Sequence, residues 1–311
     1  MRAIALANLE TQPDLQDLPV PEPAAGEVLI RVNTASVNGF DLAVASGMLK
    51  EMMVHRFPVV LGKDFVGTVD AVGEGVSRVG VGDEVFGTVM KQFLGDGSFA
   101  EYVTVSESIG LTTIPDGLDH EVAGVLGLAG TAAAMSVDAV APLEGEFLLI
   151  CGATGGVGAM AVQLAAAGGA EVIATAQPGH EADFVRGLGA KHTVDYSSDL
   201  AAGLRAIRPE GVEAAIHLAG DGLQIAGLLA PGGRIASTLG LGPDQVSDLD
   251  MTAISVMATP EAAILDRLAA DAASGQLRVP IQETFGLEDV PKAFVTFSGG
   301  TLGKLAIKVS E

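Results

Sequence analysis

The chain has 311 residues, enough for one or two domains, and its 49% hydrophobic and 18% charged content excludes a disordered chain. A formal net charge of −22 predicts that the protein binds neither nucleic acid nor anionic membranes. The single cysteine, Cys151, excludes an internal disulfide and a cysteine-based zinc cluster, and it suits a cytoplasmic protein.

Short β-rich runs separated by glycine turns occupy the first third of the chain. They cover residues 27–37, 65–72, 83–89 and 99–105. Short runs of this kind between glycine turns are typical of antiparallel barrels and sandwiches. The first third therefore predicts a compact, mostly antiparallel β domain.

From about Asp119 the pattern changes to Ala- and Leu-rich segments that alternate with brief β runs. Such alternation predicts a parallel sheet with helices on both faces. The predicted helices lie near 181–188, 199–207 and 223–229, with β runs at 192–194, 213–218 and 233–238. A helix at 260–274, a helix-like stretch at 288–297 and a strand at 304–309 follow.

A glycine-rich turn, Cys151-Gly152-Ala153-Thr154-Gly155-Gly156-Val157-Gly158, joins an apolar run at 147–150 to a helical stretch at 159–167. A second β run follows at 171–176, which completes the order of a dinucleotide-binding βαβ unit. The glycines allow a tight turn and bring backbone N–H groups to a pyrophosphate, which the helix N-terminus also favours. Residues 147–170 carry no charge, but six glycines interrupt them, so they predict a strand, turn and helix rather than a membrane span.

Further motifs are spread over nearly the whole chain. They are Ser36-Val37-Asn38-Gly39-Phe40-Asp41, Leu61-Gly62-Lys63-Asp64-Phe65-Val66-Gly67, Gly82-Asp83-Glu84-Val85-Phe86-Gly87, Gly97-Ser98-Phe99-Ala100-Glu101-Tyr102, Pro231-Gly232-Gly233-Arg234 and Gly303-Lys304. With the glycine-rich turn, they resemble the medium-chain dehydrogenase/reductase superfamily, and within it the zinc-free quinone oxidoreductase-like group. The resemblance implies an α/β fold with a GroES-like β-barrel catalytic domain, residues 1–118 and 275–311. A Rossmann domain with a doubly wound parallel sheet, residues 119–274, would be inserted into it.

The resemblance implies an oxidoreductase that reduces quinones or α,β-unsaturated carbonyls by zinc-independent hydride transfer from NADPH. Zinc members of the superfamily carry a Cys near position 38 and Gly-His-Glu where this chain has Gly62-Lys63-Asp64. Because three good ligands are needed for a catalytic zinc, no metal is expected. The alternative is a nucleotide-binding family member with a structural or regulatory role and little turnover.

Two polar residues are the candidate catalytic groups, because a conjugated acceptor needs only hydrogen-bond donors for the charge that develops on its oxygen. By their places in the motifs these are Asn38 and Lys63. Asn38 could instead be a turn residue, and Lys63 a solvated charge or a partner of Asp64. Asp41 is expected to cap the short helix that follows it.

The coenzyme is expected to be NADPH rather than NADH, because Thr175-Ala176-Gln177 ends the second Rossmann strand without the acidic residue of an NAD site. Tyr196 matches a family residue beside the 2′-phosphate, and its alternative role is packing over the adenine pocket. Thr131 matches a position near the nicotinamide, or else it bonds back to a helix carbonyl. The full set of expected coenzyme contacts is Thr131, Gly152, Thr154, Gly155, Gly156, Val157, Gly158, Thr175, Ala176, Tyr196, Ala219, Gly220, Leu239, Gly240, Met257 and Lys304.

Two further expectations concern single features of the chain. A homodimer through the edge of the Rossmann sheet would follow from the resemblance alone. Cys151 is interpreted as a small buried hydrophobic residue rather than a nucleophile, since the sequence pairs no base with it.

Overall fold

A computed structural model describes residues 1–310, and the chain forms two compact units within it. Unit 1 contains residues 1–129, 259–276 and 281–310 of the described chain, and unit 2 contains residues 130–258 and 277–280.

Short strands dominate the first part of the chain. They and their two helices are β1 (Arg2–Leu6), β2 (Asp14–Asp17), β3 (Glu27–Ser36), α1 (Gly39–Ala45), β4 (Val54–His55), β5 (Val59–Val60), β6 (Asp64–Val72), β7 (Glu84–Thr88), β8 (Phe93–Leu94), β9 (Tyr102–Ser106), β10 (Leu111–Thr113) and α2 (His120–Val140).

Strands and helices alternate in the rest of the chain. They are β11 (Phe147–Cys151), α3 (Gly156–Ala167), β12 (Glu171–Thr175), α4 (His180–Gly187), β13 (His192–Val194), α5 (Leu200–Ile207), β14 (Val212–His217), α6 (Gly222–Ala226), β15 (Leu229–Ser237), β16 (Met251–Ser255), α7 (Ala262–Ala273), β17 (Ile281–Gly286), α8 (Val290–Ser298) and β18 (Lys304–Lys308). Single 3₁₀ turns lie at Pro243–Val246 and Leu287–Asp289.

Unit 1 is built on a mostly antiparallel sheet in the order β10-β7-β6-β3-β18-β17, and β9 also pairs with β3. A second, three-stranded sheet has the order β2-β1-β5. The pairs β17–β18 and β4–β8 are parallel, which adds two exceptions to the antiparallel pattern expected from the sequence. Apolar side chains of these strands, together with Leu287 and Val290, form the buried core of the unit.

Unit 2 is a six-stranded, fully parallel sheet in the order β13-β12-β11-β14-β15-β16. This is the strand order of a dinucleotide-binding fold, whose ligands bind outside the carboxyl ends of the strands. The central strand β11 has the continuous apolar sequence FLLIC and is buried at all but its first residue, as parallel strands covered on both faces are. The α/β alternation predicted from the sequence is confirmed.

The division between the units differs from the sequence-based boundaries of 118 and 275. The first half of α2 belongs to unit 1 because its backbone packs closely there. A Cβ at Gly124 would lie 2.9 Å from Val66 Cγ1, and the N–H of Leu128 donates to Asp64 at 2.6 Å. Helix α7 also belongs to unit 1, where Asp266 accepts a hydrogen bond from Thr112 of β10.

Helix α2 is the helix within residues 1–310 that is long and apolar enough to cross a membrane by length and composition alone. However, 67% of its most apolar 18-residue window is buried. A helix that is apolar on all sides is buried in the core of a globular protein as well as in membranes. The uncharged run at 147–170 contains β11, the glycine-rich turn and α3.

The central position of β11 gives a test of the fold. Leu149 is 0% exposed in the core of unit 2, so Leu149→Ala should lower the free energy of unfolding by about 2–5 kcal/mol through lost contacts and a residual cavity. The matched control is Leu143→Ala, since Leu143 is 66% exposed and its truncation should change the stability by less than about 0.5 kcal/mol. Chemical denaturation measures both, and equal losses would contradict the placement of β11.

Candidate functional site

The glycine-rich turn of unit 2 lies between β11 and α3, and its geometry requires glycine at two positions. Gly152 has a φ of +85°, a conformation that residues with a side chain rarely adopt. A Cβ at Gly158 would lie 2.2 Å from the Gly152 carbonyl oxygen and 2.6 Å from Ala153 Cα. Gly158 therefore allows the first turn of α3 to pack directly on the turn that precedes it.

Gly155 has a different role, because its surroundings are open. It is the N-cap of α3, and a Cβ there would meet only the Gly152 carbonyl oxygen, at 3.7 Å. The first N–H groups of an α-helix have no acceptor within the helix and attract anions. Gly155, Gly156 and Val157 are all partly exposed at this end of α3. The N–H groups of Gly156 and Val157 therefore form an amide cradle beside Gly155, and this cradle fits a pyrophosphate.

Most of the predicted coenzyme contacts lie at one edge of the unit 2 sheet, where its parallel strands end. The glycine-rich turn with Thr154 follows β11. The expected contacts at the ends of the other five strands, or just after them, are Thr175 and Ala176, Tyr196, Ala219 and Gly220, Leu239 and Gly240, and Met257. Ala219, Leu239 and Met257 are exposed, and Met257 is 82% exposed. The structure thus brings these residues to the edge at which open α/β sheets bind ligands.

Several of the predicted contacts are buried, and for Thr175 the hydrogen bonds show a structural role. Thr175 is 3% exposed, and its hydroxyl accepts from the Gly152 N–H at 3.0 Å and donates to the Ile150 carbonyl at 3.4 Å. It therefore links the end of β12 to the glycine-rich turn. Thr131 is 0% exposed within α2.

His217 and Ser237 connect two of the loops at this edge, a link that the sequence did not reveal. His217 Nδ1 lies 3.0 Å from Ser237 Oγ, and His217 Nε2 lies 3.1 Å from the Gly220 carbonyl oxygen. Because that carbonyl can only accept, Nε2 carries the proton and Nδ1 accepts from the serine. Ser237 Oγ also accepts from the N–H of Leu239 and of Leu241, at 3.1 and 3.2 Å. His217 and Ser237 thus link the loop that follows β14 to the loop that follows β15.

A cluster of buried polar groups lies in unit 1 around Asp64, the first residue of β6. The side chain of Asp64 is 0% exposed and accepts from donors on five segments. These donors are Ser36 Oγ at 2.6 Å, Asn38 Nδ2 at 2.9 Å, Thr88 Oγ1 at 3.3 Å, Leu128 N at 2.6 Å and Lys304 Nζ at 3.5 Å. A buried carboxylate is tolerated only when it is paired and hydrogen-bonded, and this one is both.

Asn38 lies inside this cluster, which changes the role predicted for it. Its Nδ2 group donates to Asp64 and, at 3.3 Å, to the Ser36 carbonyl, so both amide hydrogens have acceptors within the protein. Its Oδ1 accepts from Lys304 Nζ at 2.7 Å. The side chain is 7% exposed. The structure therefore argues against Asn38 as a donor to the substrate, and for a role in holding the cluster together.

Lys304 was predicted to contact the coenzyme, and its surroundings argue against this. The side chain is 3% exposed, and its ammonium donates to the Val37 carbonyl at 3.0 Å, to Asn38 and to Asp64. An ammonium has three donors, and these acceptors use all of them. Burial lowers the pKa of Lys304, while the Asp64 and Asp41 carboxylates act in the opposite direction.

Asp41 lies at the third position of α1 rather than before the helix, and from there it caps the helix start as the acidic residue of a capping box, so the predicted capping role is confirmed. Its carboxylate accepts from the Asn38 N–H at 2.8 Å and from the Gly62 N–H at 3.2 Å. Burial raises the pKa of Asp41 to about 7; the bond from Asn38 opposes this rise and the Asp64 charge adds to it. Asp41 therefore gains its proton more readily in the folded protein than in the unfolded chain.

Lys63 lies next to Asp64 in sequence but outside the cluster. Its Nζ donates to the carbonyl of Val89 and lies 5.1 Å from the centroid of the Phe40 ring. Burial lowers the pKa of Lys63, and the Asp41 and Asp64 charges oppose this. A small pocket within unit 1 is lined by Lys63, Phe40, Asp41, Val89 and Phe93, among others. Of the two predicted catalytic residues, Lys63 is the one that lines this pocket.

The remaining predictions concern metal and thiol chemistry. Within residues 1–310, no three or more His, Cys, Asp or Glu side chains come together as a metal site. Cys151 is 3% exposed at the end of β11, and burial raises the pKa of its thiol to about 12. The interpretation of Cys151 as a buried hydrophobic residue is confirmed.

The raised pKa of Asp41 predicts a pH-dependent stability. Its pKa is 3.8 in the unfolded chain and about 7 in the folded protein, so its protonation stabilises the fold below about pH 4 and this contribution is lost as the pH rises towards 7. Asp41→Asn cannot ionise. The free energy of unfolding of Asp41→Asn minus that of the wild type should therefore increase between pH 4.5 and 8 in urea denaturation. A difference that is constant with pH would contradict the assignment.

The geometry of the glycine-rich turn predicts that one substitution lowers coenzyme affinity without unfolding the protein, whereas another lowers the stability of the fold. Gly155→Ala places a methyl group at the amide cradle without a clash, so the free energy of unfolding should change by no more than about 1 kcal/mol while coenzyme affinity falls at least tenfold. Gly158→Ala, in contrast, should destabilise the protein because its Cβ meets backbone atoms. Calorimetric titration with NADH and NADPH, alongside thermal unfolding, tests both variants. Unchanged affinity in Gly155→Ala would mean that the cradle does not hold the coenzyme.

Comparison with known proteins shows two family models that match in chain order. The alcohol dehydrogenase GroES-like domain matches residues 24–116, and the zinc-binding dehydrogenase model matches residues 156–261. A chloroplastic quinone oxidoreductase from Triphysaria versicolor is 33% identical over 211 residues, which cover 65% of this chain and 62% of that protein. The match to this relative thus spans less than two thirds of its length.

Two further relatives are matched over more of their length. An L-threonine 3-dehydrogenase from Rhizobium etli is 30% identical over 273 residues, which cover 78% of this chain and 77% of that protein. The solved structure of the quinone oxidoreductase from Coxiella burnetii is 28% identical, has a TM-score of 0.89 and covers 100% of this chain and 99% of its own. This chain therefore belongs to the medium-chain dehydrogenase/reductase superfamily, with GroES-like and Rossmann domains.

Proposed function

We propose that this protein reduces quinones or α,β-unsaturated carbonyls with a nicotinamide coenzyme and without zinc. The observation that carries the proposal is the open amide cradle at Gly155, at the start of α3, with the predicted contacts arranged along the same sheet edge. The quinone oxidoreductase relatives support the acceptor class. The preference for NADPH over NADH that the sequence predicts, from the absence of an acidic residue in Thr175-Ala176-Gln177, is not part of this proposal.

The residues of unit 2 would bind and orient the coenzyme. The N–H groups of Gly156 and Val157 would hold the pyrophosphate, since the N–H of Gly155 already donates to the Gly152 carbonyl at 3.3 Å. The loops at Gly220 and Gly240 would border the rest of the coenzyme. The loops are held in place by the His217–Ser237 hydrogen bonds. When bound, the reduced nicotinamide supplies the hydride, and the protein contributes positioning and electrostatic stabilisation.

Lys63 is the residue of unit 1 that we propose to stabilise charge on the acceptor. The Val89 carbonyl takes one of the three donors of the ammonium, so the others can serve an acceptor oxygen. Hydride addition to a conjugated carbonyl moves negative charge onto that oxygen, and a positioned cation stabilises it. The nearby carboxylates of Asp41 and Asp64 favour the charged form of Lys63 against its burial. In this proposal Asn38 holds the buried cluster around Asp64 together through its hydrogen bonds and does not contact the substrate.

The activity is tested by mixing the protein with NADPH or NADH and a panel of quinones and enones, and by following oxidation of the coenzyme. Acceptor-dependent oxidation is expected. Coenzyme binding without any such oxidation would contradict the reductase proposal and favour a nucleotide-binding protein with a structural or regulatory role.

The role of Lys63 predicts a loss of turnover without a loss of coenzyme affinity. Lys63→Met should lower kcat by about 10²-fold or more, which is the usual effect of removing one donor to a developing oxyanion. Lys50→Met is the matched control, since Lys50 is an exposed lysine of the same unit. Steady-state kinetics and the coenzyme Kd are measured for both variants. Equal turnover in the two would exclude Lys63 from the chemistry.

A further inference from the structure

A carboxylate that sequence reasoning missed lies over the end of β12. Glu181 belongs to the first turn of α4, and its Oε2 accepts from the N–H of Gln177 at 2.8 Å. Gln177 is the second residue after β12, which ends at Thr175. In a dinucleotide-binding sheet, the acidic residue that bonds the adenosine ribose lies at the end of this second strand. Glu181 therefore brings a carboxylate back to that position from a residue further along the chain.

A residue that follows the neighbouring strand β13 donates a hydrogen bond to the other oxygen of the Glu181 carboxylate. Tyr196 follows β13 by two residues, and its hydroxyl donates to Glu181 Oε1 at 3.1 Å. Partial burial, the bond to Glu181 and the charge of Asp195 all raise the pKa of Tyr196, so the phenol stays protonated as a donor. A carboxylate has about four lone-pair sites, and Gln177 and Tyr196 use two. The remaining sites can accept from ribose hydroxyls.

The charges around this carboxylate are unfavourable for a phosphate. Asp195 adds a second negative charge near Tyr196. The cation of α4, Arg186, is engaged elsewhere, 3.6 Å from Asp183 and 2.7 Å from Thr193 Oγ1. Lys191, the cation that precedes β13, pairs with Glu171 at the opposite end of β12. A 2′-phosphate would thus meet carboxylates here rather than a basic clamp.

We propose that Glu181 is the residue that determines coenzyme specificity, accepting hydrogen bonds from the adenosine ribose of NADH and repelling the 2′-phosphate of NADPH. This reverses the NADPH preference predicted from the sequence. The sequence-based prediction used only the residues at the end of β12. The sequence alone could not show that an acidic side chain of α4 lies against that strand end. The inference rests on the proposed binding of a nicotinamide coenzyme in unit 2.

The test is the ratio of Kd values for NADH and NADPH, measured by calorimetric titration without an acceptor. The wild type should bind NADH at least tenfold more tightly than NADPH. Glu181→Gln keeps an oxygen acceptor of the same shape but removes the charge, and it should reduce this preference at least tenfold. The matched control, Glu210→Gln, removes the same charge from an exposed residue that precedes β14 at the amino edge of the sheet, and it should keep the wild-type ratio.

Two results would overturn the proposal: a wild type that prefers NADPH, or a Glu181→Gln ratio equal to that of Glu210→Gln. The wild-type ratio by itself decides the matter if Glu181→Gln does not fold. Because the measurement needs no acceptor, its outcome is separate from that of the reductase assay. The expected ratios in a protein that reduces no quinone or enone would support the role of Glu181 and contradict the reductase proposal, whereas binding of neither coenzyme would contradict both.

Discussion

The close contact between Gly158 and the Gly152 carbonyl determines the geometry of the nucleotide-binding unit. With a backbone oxygen 2.2 Å from the place that a Cβ would occupy, α3 can begin only where position 158 has no side chain. That contact sets the direction of the helix and hence the direction of its first N–H groups. The same turn is held from the side by Thr175, which accepts from the N–H of Gly152. The anion-binding end of α3 is therefore formed by packing within unit 2 before any coenzyme is present.

In unit 1 the corresponding constraint is electrostatic. The carboxylate of Asp64 gathers donors from β3, α2, β7, β18 and the residue before α1, which are distant in sequence. A buried ion pair contributes little net stability, but removal of one partner is costly because the other charge remains buried. The cluster therefore acts mainly as a requirement for correct register among these segments. Asn38 and Lys304 hold these segments together through their mutual hydrogen bond. The ammonium of Lys63 instead donates to the Val89 carbonyl, and both residues line a pocket.

Features with a strong local signal could be predicted from the sequence. The βαβ order around the glycine-rich turn, the alternation that gives the parallel sheet and the β-rich first third all follow from patterns within a few residues. The side-chain partners of Asn38 and Lys304 could not be predicted, because they depend on contacts between residues about 26 and 266 positions apart. Glu181 was missed for a related reason: the carboxylate that reaches the end of β12 comes from the next helix. The sequence feature that could have identified Glu181 is an acidic residue in the first turn of that helix.

The burial of Cys151 has a consequence for the proposed reduction of quinones. Quinones are electrophiles that arylate accessible thiolates, and a thiolate is far more reactive than a thiol. The one sulfhydryl of this chain is enclosed at the end of a central strand, and burial keeps it protonated at neutral pH. If the protein binds quinones as proposed, this thiol would escape arylation by them. The strand that leads to the glycine-rich turn would thus also protect the thiol from the proposed acceptors.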